Sequence, residues 1–189
     1  MEYSPAFRIV LIGDAFVGKT ALAKRFIFKD FQINYEETVG AAFHSFTEKI
    51  DKNVITYQLW DTAGTEKYRS LAPVYFRNAS AAIIVYDVTS LQTFHDLDDW
   101  IETFKKIVEE DALIFIVGNK IDLVNETKVS TEDGQKFAEE RGYSFFSTSA
   151  VTGENVIRLF SAVAEAIYEK FGTKNGGPQQ LMKEETKCC

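Results

Sequence analysis

Gly13-Asp14-Ala15-Phe16-Val17-Gly18-Lys19-Thr20 is the stretch that decides how this chain is read. It follows an apolar run, Phe7 to Ile12, and precedes Ala21-Leu22-Ala23-Lys24-Arg25-Phe26, which has a helical composition. Strand, glycine-bounded loop and helix in that order give the pattern G-x-x-x-x-G-K-[ST] its expected context. Glycines let successive backbone N–H groups face one concavity, where they cradle phosphate oxygens. The helix that starts near Lys19 adds the positive end of its dipole. Lys19 should reach the outer phosphates as a point charge. Thr20 offers a hydroxyl to magnesium, an ion that takes oxygen ligands and keeps several waters. The plain alternative is a strand–turn–helix with a chance Lys-Thr.

Beyond the loop, a helix is expected from about Thr20 to Phe28, then a polar segment from Lys29 to Glu37 with the composition of a mobile loop. Ala42 to Ile50 and Val54 to Asp61 roughly alternate across a short turn and predict an antiparallel hairpin. A polar, glycine-bearing segment, Asp61 to Lys67, leads into a short helix ending near Asn78. Ala81 to Tyr86 and Ala112 to Val117 are continuous apolar runs, suited to parallel strands buried on both faces. Between them Leu97, Ile101, Phe104 and Val108 recur at helical spacing. Ser130 and Asp133 resemble a capping box opening a helix to Arg141, which Gly142 stops. Ser144 to Thr148 is a last short strand, and Val156, Phe160, Val163, Ile167 and Phe171 form one apolar helix stripe. Both stripes read as core faces.

This order predicts an α/β fold: a six-stranded, mostly parallel sheet with one antiparallel edge strand and helices on both faces. Residues 1–6 read as an N-terminal extension, 7–171 as one domain and 172–189 as a flexible tail of Gly, Pro, Gln, Lys and Glu. Ligands of such sheets sit at the carboxyl ends of the strands. Gly13 to Thr20, Asp61 to Glu66, Asn119 to Asp122 and Thr148 to Val151 each follow a predicted strand.

Composition narrows the class further. The chain has 189 residues, 46% of them hydrophobic, which suits one full core plus a tail. A net charge of −7 lacks the basic footprint of a nucleic-acid binder. No stretch approaches the ~20 apolar residues that span a bilayer. The N-terminus lacks a basic n-region and an apolar h-region, so no signal peptide is expected. Both cysteines, Cys188 and Cys189, close the chain, which excludes a disulfide scaffold and fits a reducing compartment.

Two further motifs carry chemistry. Asp61 ends a strand, and its carboxylate can hold a magnesium shell through water. Gly64 has no side chain to keep its N–H from a terminal phosphate. Asp122, in Asn119-Lys120-Ile121-Asp122, can accept from a base with two adjacent N–H donors; guanine has such an edge and adenine does not. A pocket that leaves that carboxylate unpaired loses heavily, so selectivity against ATP should be large. Asn119 and Lys120 would tie this loop to the phosphate loop and flank the base. Strand-ending and solvated turns are the alternatives for the two motifs.

These residues resemble the Ras-superfamily small GTPases and, more narrowly, the Rab family. Val39 to Phe43, Tyr57 to Trp60, Lys67 to Leu71, Tyr75 to Ala79 and Ile84 to Thr89 are similar to the five short stretches that separate Rabs from their cousins. Gly40-Ala41-Ala42-Phe43 and Ser70-Leu71-Ala72-Pro73 resemble the early-endosomal branch. The likeness runs over residues 7–171, with a P-loop small-GTPase fold and GTP, GDP and Mg²⁺ as ligands. It implies that Ala15, Phe16, Val17, Gly18, Lys19, Thr20 and Ala21 line the phosphates. Phe31, Tyr35 and Thr38 would face the nucleotide from the next loop, Phe31 packing on guanine. Gly64 would meet the γ-phosphate. Asn119, Lys120, Asp122 and Leu123, with Ser149, Ala150 and Val151, would hold the base. Thr20, Thr38 and Asp61 would serve the metal, and Lys19, Gly64 and Thr65 the hydrolysis. Loss of the γ-phosphate would release both switch loops.

The same resemblance implies effectors that read the switch loops with Phe43, Trp60 and Tyr75. It also implies an exchange factor, a GTPase activator, prenylation machinery and a GDP-dissociation inhibitor. The chain is expected to be a monomer. Cys188 and Cys189 resemble a double prenylation signal. Two lipid chains anchor stably where one does not, and a tail with three lysines against two glutamates is too weakly charged to anchor alone. The implied site is the cytoplasmic face of endosomal or vesicular membranes, in exchange with the cytosol. For Trp60, a place in the core is an equal alternative.

Three departures stand out. Thr65 occupies the position of a glutamine that orients the attacking water, so intrinsic hydrolysis should be slow. Val151 stands where a lysine stem lies along the base, and its loss should weaken binding by ~1 kcal/mol. Ala15 replaces a glycine found in Ras itself, with little expected consequence. Two rival readings follow: a GTP-loaded scaffold that hardly hydrolyses, favoured by Thr65, and a P-loop ATPase or kinase, which Asn119 to Asp122 argues against.

Overall fold

The computed structural model describes residues 6–29, 38, 40–50, 53–64, 72–108 and 111–172. Six strands form one sheet: β1 (Phe7–Ile12), β2 (Ala41–Ile50), β3 (Asn53–Thr62), β4 (Ala79–Asp87), β5 (Leu113–Asn119) and β6 (Ser144–Thr148). Their spatial order is β2-β3-β1-β4-β5-β6. β2 pairs antiparallel with β3, Ala41 opposite Thr62 and Ile50 opposite Asn53; the other neighbours are parallel. The hairpin thus supplies the antiparallel edge, as its alternating residues predict.

The central strands are apolar on both sides because helices cover both. Ile9, Leu11, Ile83, Val85 and Val117 face one core with Leu22 of α1 (Lys19–Phe28) and Val156, Phe160, Val163 and Ile167 of α6 (Val156–Ile167). Val10, Ile12, Ile84, Tyr86 and Ile116 face the other. There they meet Phe76 of α2 (Ala72–Phe76), Leu97, Ile101 and Phe104 of α4 (Leu97–Lys105), and Ala138 of α5 (Thr131–Glu139). Both predicted stripes are core faces.

Element ends differ from expectation in several places, among them α5, which ends at Glu139 rather than Arg141, and α6, which ends at Ile167 with Phe171 in a π-helical turn over Tyr168–Gly172. Asp96 separates α3 (Leu91–His95) from α4, so the region preceding Leu97 is a helix of its own. Val108 lies beyond the end of α4 at Lys105 yet still packs on the second core. The short helix stops at Phe76, because Asn78 takes φ +59. At the start of α5, Asp133 N donates to Ser130 Oγ at 3.1 Å, but the Ser130 hydroxyl donates to the Asp133 carboxylate at 2.7 Å. Only half of the capping box is made. Gly142 turns the chain after α5 with φ +71.

This topology puts the ends of β1, β3, β4, β5 and β6 along one edge. The loops after β1, β3, β5 and β6 are the four that carry the predicted chemistry.

Candidate functional site: a phosphate cradle and a base-reading loop

The loop after β1 wraps its own lysine. Lys19 opens α1 and is 5% exposed. Its Nζ donates to Gly13 O at 2.8 Å and Asp14 O at 2.5 Å. Burial pulls its pKa down to about 8, against the attraction of Asp61 and Asp14. Desolvation disfavours the charged form, and only nearby anions restore it. Gly18 precedes the helix at φ +98, where a Cβ would lie 2.3 Å from Asn119 Nδ2. Phe16, with no such freedom, also takes a positive φ of +66 and is 63% exposed. Ala15 and Ala21 are half-buried and Val17 is buried.

Asp61 and Thr62 end β3, and Ala63-Gly64 carry the chain towards the phosphate loop. A Cβ on Gly64 would stand 2.3 Å from the Asp14 carbonyl and 2.4 Å from Lys19 Nζ. Glycine is what lets the two loops touch. Asp61 is 0% exposed, and neither carboxylate oxygen meets a donor at hydrogen-bond distance among the described residues. Burial raises its pKa, opposed by the neighbouring Thr20 hydroxyl and the Lys19 ammonium. Thr20 Oγ1 lies 2.8 Å from Thr38 Oγ1. A buried carboxylate without a donor and two converging hydroxyls form a hard oxygen set, which fits magnesium.

The loops after β5 and β6 are bound to each other and to the phosphate loop. Asn119 Nδ2 donates to Val17 O at 2.9 Å. Its Oδ1 accepts from Thr148 Oγ1 at 3.2 Å and Ala150 N at 3.3 Å. Asp122 Oδ1 accepts from Ser149 Oγ at 2.5 Å, and Ile121 N donates to Thr148 O at 3.2 Å. Leu123 N donates to Lys120 O at 3.0 Å. Lys120 has φ +72, and its Nζ lies 2.5 Å from Asp87 Oδ2. Val151 is 48% exposed on the rim.

Three supporting contacts were not foreseen. Trp100 Nε1 on α4 donates to Asp14 Oδ1 at 2.9 Å. Arg25 of α1 donates to Thr152 O at 2.9 Å. Asp87 at the end of β4 holds Lys120. Of these, only Asp87 carries a local signal: Asp followed two residues later by Thr is an Asx-turn pattern. The remaining predicted site residues, Phe31, Tyr35, Thr65, Cys188 and Cys189, lie outside the described residues.

On the hairpin and α2, Phe43, Trp60 and Tyr75 form a ring cluster. Phe43 packs edge-on against Trp60 at 5.4 Å, and Trp60 lies 6.1 Å from Tyr75. Phe43 is 51% exposed, whereas Trp60 and Tyr75 are half-buried and pack on the second core. The Arg8 guanidinium sits 4.7 Å over the Trp60 ring. No helix among the described residues is long and apolar enough to cross a membrane.

Comparison with known proteins gives consistent relatives. The model of the Ras family matches residues 8–169. The Ras-related protein Rab11A of Lotus japonicus is 40% identical over 169 residues, covering 89% of this chain and 75% of that protein. The Ras-related protein RABA1b of Arabidopsis thaliana is 40% identical over 167 residues, covering 88% and 77%.

Proposed function

We propose, from the premise that the chain belongs to the Ras family and is a Rab-type small GTPase, that it is a lipid-anchored GTP/GDP switch of endosomal or vesicular traffic with slow intrinsic hydrolysis. As a GTPase it converts GTP and water to GDP and phosphate. Water's oxygen bonds to the γ-phosphorus as the bond to the β,γ-bridging oxygen breaks. The observation that carries the site assignment is one juxtaposition. A buried ammonium, Lys19, and a buried carboxylate, Asp61, with no donor at hydrogen-bond distance among the described residues, meet at the same strand ends as the Asn119–Asp122 loop.

Each residue then has a part. Lys19 stabilises charge that develops on the outer phosphates, in a dry site where that is worth most. The Gly64 N–H meets the γ-phosphate, and Thr38 follows it. Magnesium, held by Thr20, Thr38 and Asp61, supplies positive charge to the phosphates when bound. Asp122 accepts the N1–H and amine of guanine, while Ser149 fixes its carboxylate and the Lys120 stem lies along the base. Phe31, Tyr35, Ala150 and Val151 complete the walls. Thr65 has no amide to orient water, so turnover is slow without an activator that supplies one.

Outside the pocket, effectors read the switch loops together with Phe43, Trp60 and Tyr75, of which Phe43 is the exposed ring. An exchange factor, an activator and a GDP-dissociation inhibitor act on the same chain. Residues 7–171 are the GTPase domain, and Cys188 and Cys189 take prenyl groups at the end of the tail. The protein acts as a monomer on the cytoplasmic face of membranes and cycles through the cytosol.

Thr65 also favours a second reading, a GTP-loaded scaffold that hardly turns over. Single-turnover hydrolysis of bound GTP separates the two. Thr65→Gln should speed the intrinsic rate on the order of tenfold, because water positioning dominates phosphoryl transfer. No acceleration rejects the role given to Thr65. No turnover even with an activator leaves the scaffold reading. Purified protein indifferent to GTP and Mg²⁺ rejects the whole site.

A further inference from the structure

Lys120 sits in a left-handed conformation that disfavours any residue with a Cβ. Its side chain does not run free. The ammonium reaches to the end of β4, where Nζ lies 2.5 Å from Asp87 Oδ2. Asp87 is itself held in place beforehand. Its Oδ1 accepts from Thr89 N at 2.8 Å and from Thr89 Oγ1 at 2.7 Å. Asp87 is buried, so burial resists its charge, yet the Lys120 and Thr89 donors outweigh that and its pKa falls below the usual value. Asp87 and Asn119 are register partners across β4 and β5, and Val88 N donates to Asn119 O at 3.0 Å. The bond therefore joins the ends of two neighbouring strands at the root of the base-reading loop.

We propose that Asp87 is a positioning residue for the guanine base, acting through Lys120, and that this pair governs the rate of nucleotide release from the base side. The proposal rests on the reading that the Lys120 stem flanks the base. A lysine stem has four rotatable bonds and covers a base face only if its end is tied. An anion that is already oriented and shielded from water ties it better than a neutral acceptor would. With Val151 across the rim, no second lysine stem shares that task.

Release of a fluorescent GDP analogue from the full chain tests this, with wild type, Asp87→Asn, Lys120→Met and the double variant compared. Asp87→Asn should speed release about tenfold, the loss of one charge-assisted bond. Lys120→Met should do at least as much. The double variant should then stay within about twofold of Lys120→Met, because the two residues act as one unit. IDP, which lacks the amine that Asp122 reads, should be released faster by the same factor as GDP. Full multiplicative effects in the double variant would overturn the proposal and assign Asp87 to the Thr89 turn. An unchanged rate in Lys120→Met overturns it too, even should Asp87→Asn fail to fold. Wild-type protein that binds no guanine nucleotide rejects the functional reading beneath it instead.

Discussion

The two halves of the pocket solve opposite problems. On the phosphate side, charge is buried and left short of partners. Among the described residues, Lys19 Nζ donates to the Gly13 and Asp14 carbonyls, and the buried Asp61 carboxylate, beside Thr20 and Lys19, has no donor at hydrogen-bond distance. On the base side each named side chain is already held by a neighbour. Asn119 makes three hydrogen bonds, Asp122 is held by Ser149 and Lys120 by Asp87. On the proposed function, the charge of the bound nucleotide completes the phosphate half, while the base half is already braced as a template. Discrimination should therefore live in the second half and state-dependence in the first.

The largest effect should come from breaking the template. Asp122→Asn removes the anion proposed to accept two guanine donors and puts an amide N–H in its place. GDP affinity should fall on the order of a thousandfold, because a site built around paired polar groups pays heavily for a mismatch. The preference for GDP over IDP should vanish with it. A preserved preference, measured by competition, would show that another group reads the base.

A smaller effect should come from the charge-short half. Burial pulls the Lys19 pKa down to about 8. Phosphates favour its charged form, so binding raises that pKa. GDP affinity should thus be flat below pH 8 and fall above it, by up to about tenfold per pH unit, until the raised pKa is reached. Binding above pH 8 should also take up a proton, visible as a buffer-dependent heat. A flat affinity up to pH 9, below the titration of the guanine ring itself, would mean that Lys19 is fully charged before the ligand arrives.

What the sequence revealed follows the same division. Elements set by local pattern were legible: the apolar runs of β4 and β5, the hairpin, the stripes of α4 and α6, and loops placed after strands. The break at Asp96 was not, because Leu91 to Lys105 has enough helical composition for one element and the interruption depends on packing. Asp14, Arg25 and Asp87 were missed as site residues for a related reason. Their partners, Trp100, Thr152 and Lys120, lie 86, 127 and 33 residues away in the chain. A pairing of that kind has no period or spacing and exists only once the sheet has brought strand ends together. The strain at Phe16 was equally hidden, since the pattern leaves that position open to any residue.

That strain allows the sharpest test of the contrast, though its effect is the smallest. Each half holds one non-glycine residue in the left-handed region, Phe16 at φ +66 and Lys120 at φ +72. Lys120 is anchored there by its own ammonium on Asp87, whereas the Phe16 ring is largely exposed. Glycine relieves both backbones, and at Lys120 it also removes the ammonium that Asp87 holds. Phe16→Gly and Phe16→Ala both lack the ring, so their difference isolates the backbone. The glycine variant should be more stable by about 1 kcal/mol, or ~2–4 °C in the melting midpoint of the GDP-bound protein. Lys120→Gly should move the other way and melt below wild type, because the buried Asp87 carboxylate loses its counter-charge. Equal midpoints for the two Phe16 variants would mean that the phosphate loop relaxes φ at that residue. Stabilisation by Lys120→Gly would mean that the base half is no better anchored than the phosphate half, and the contrast between them would fail.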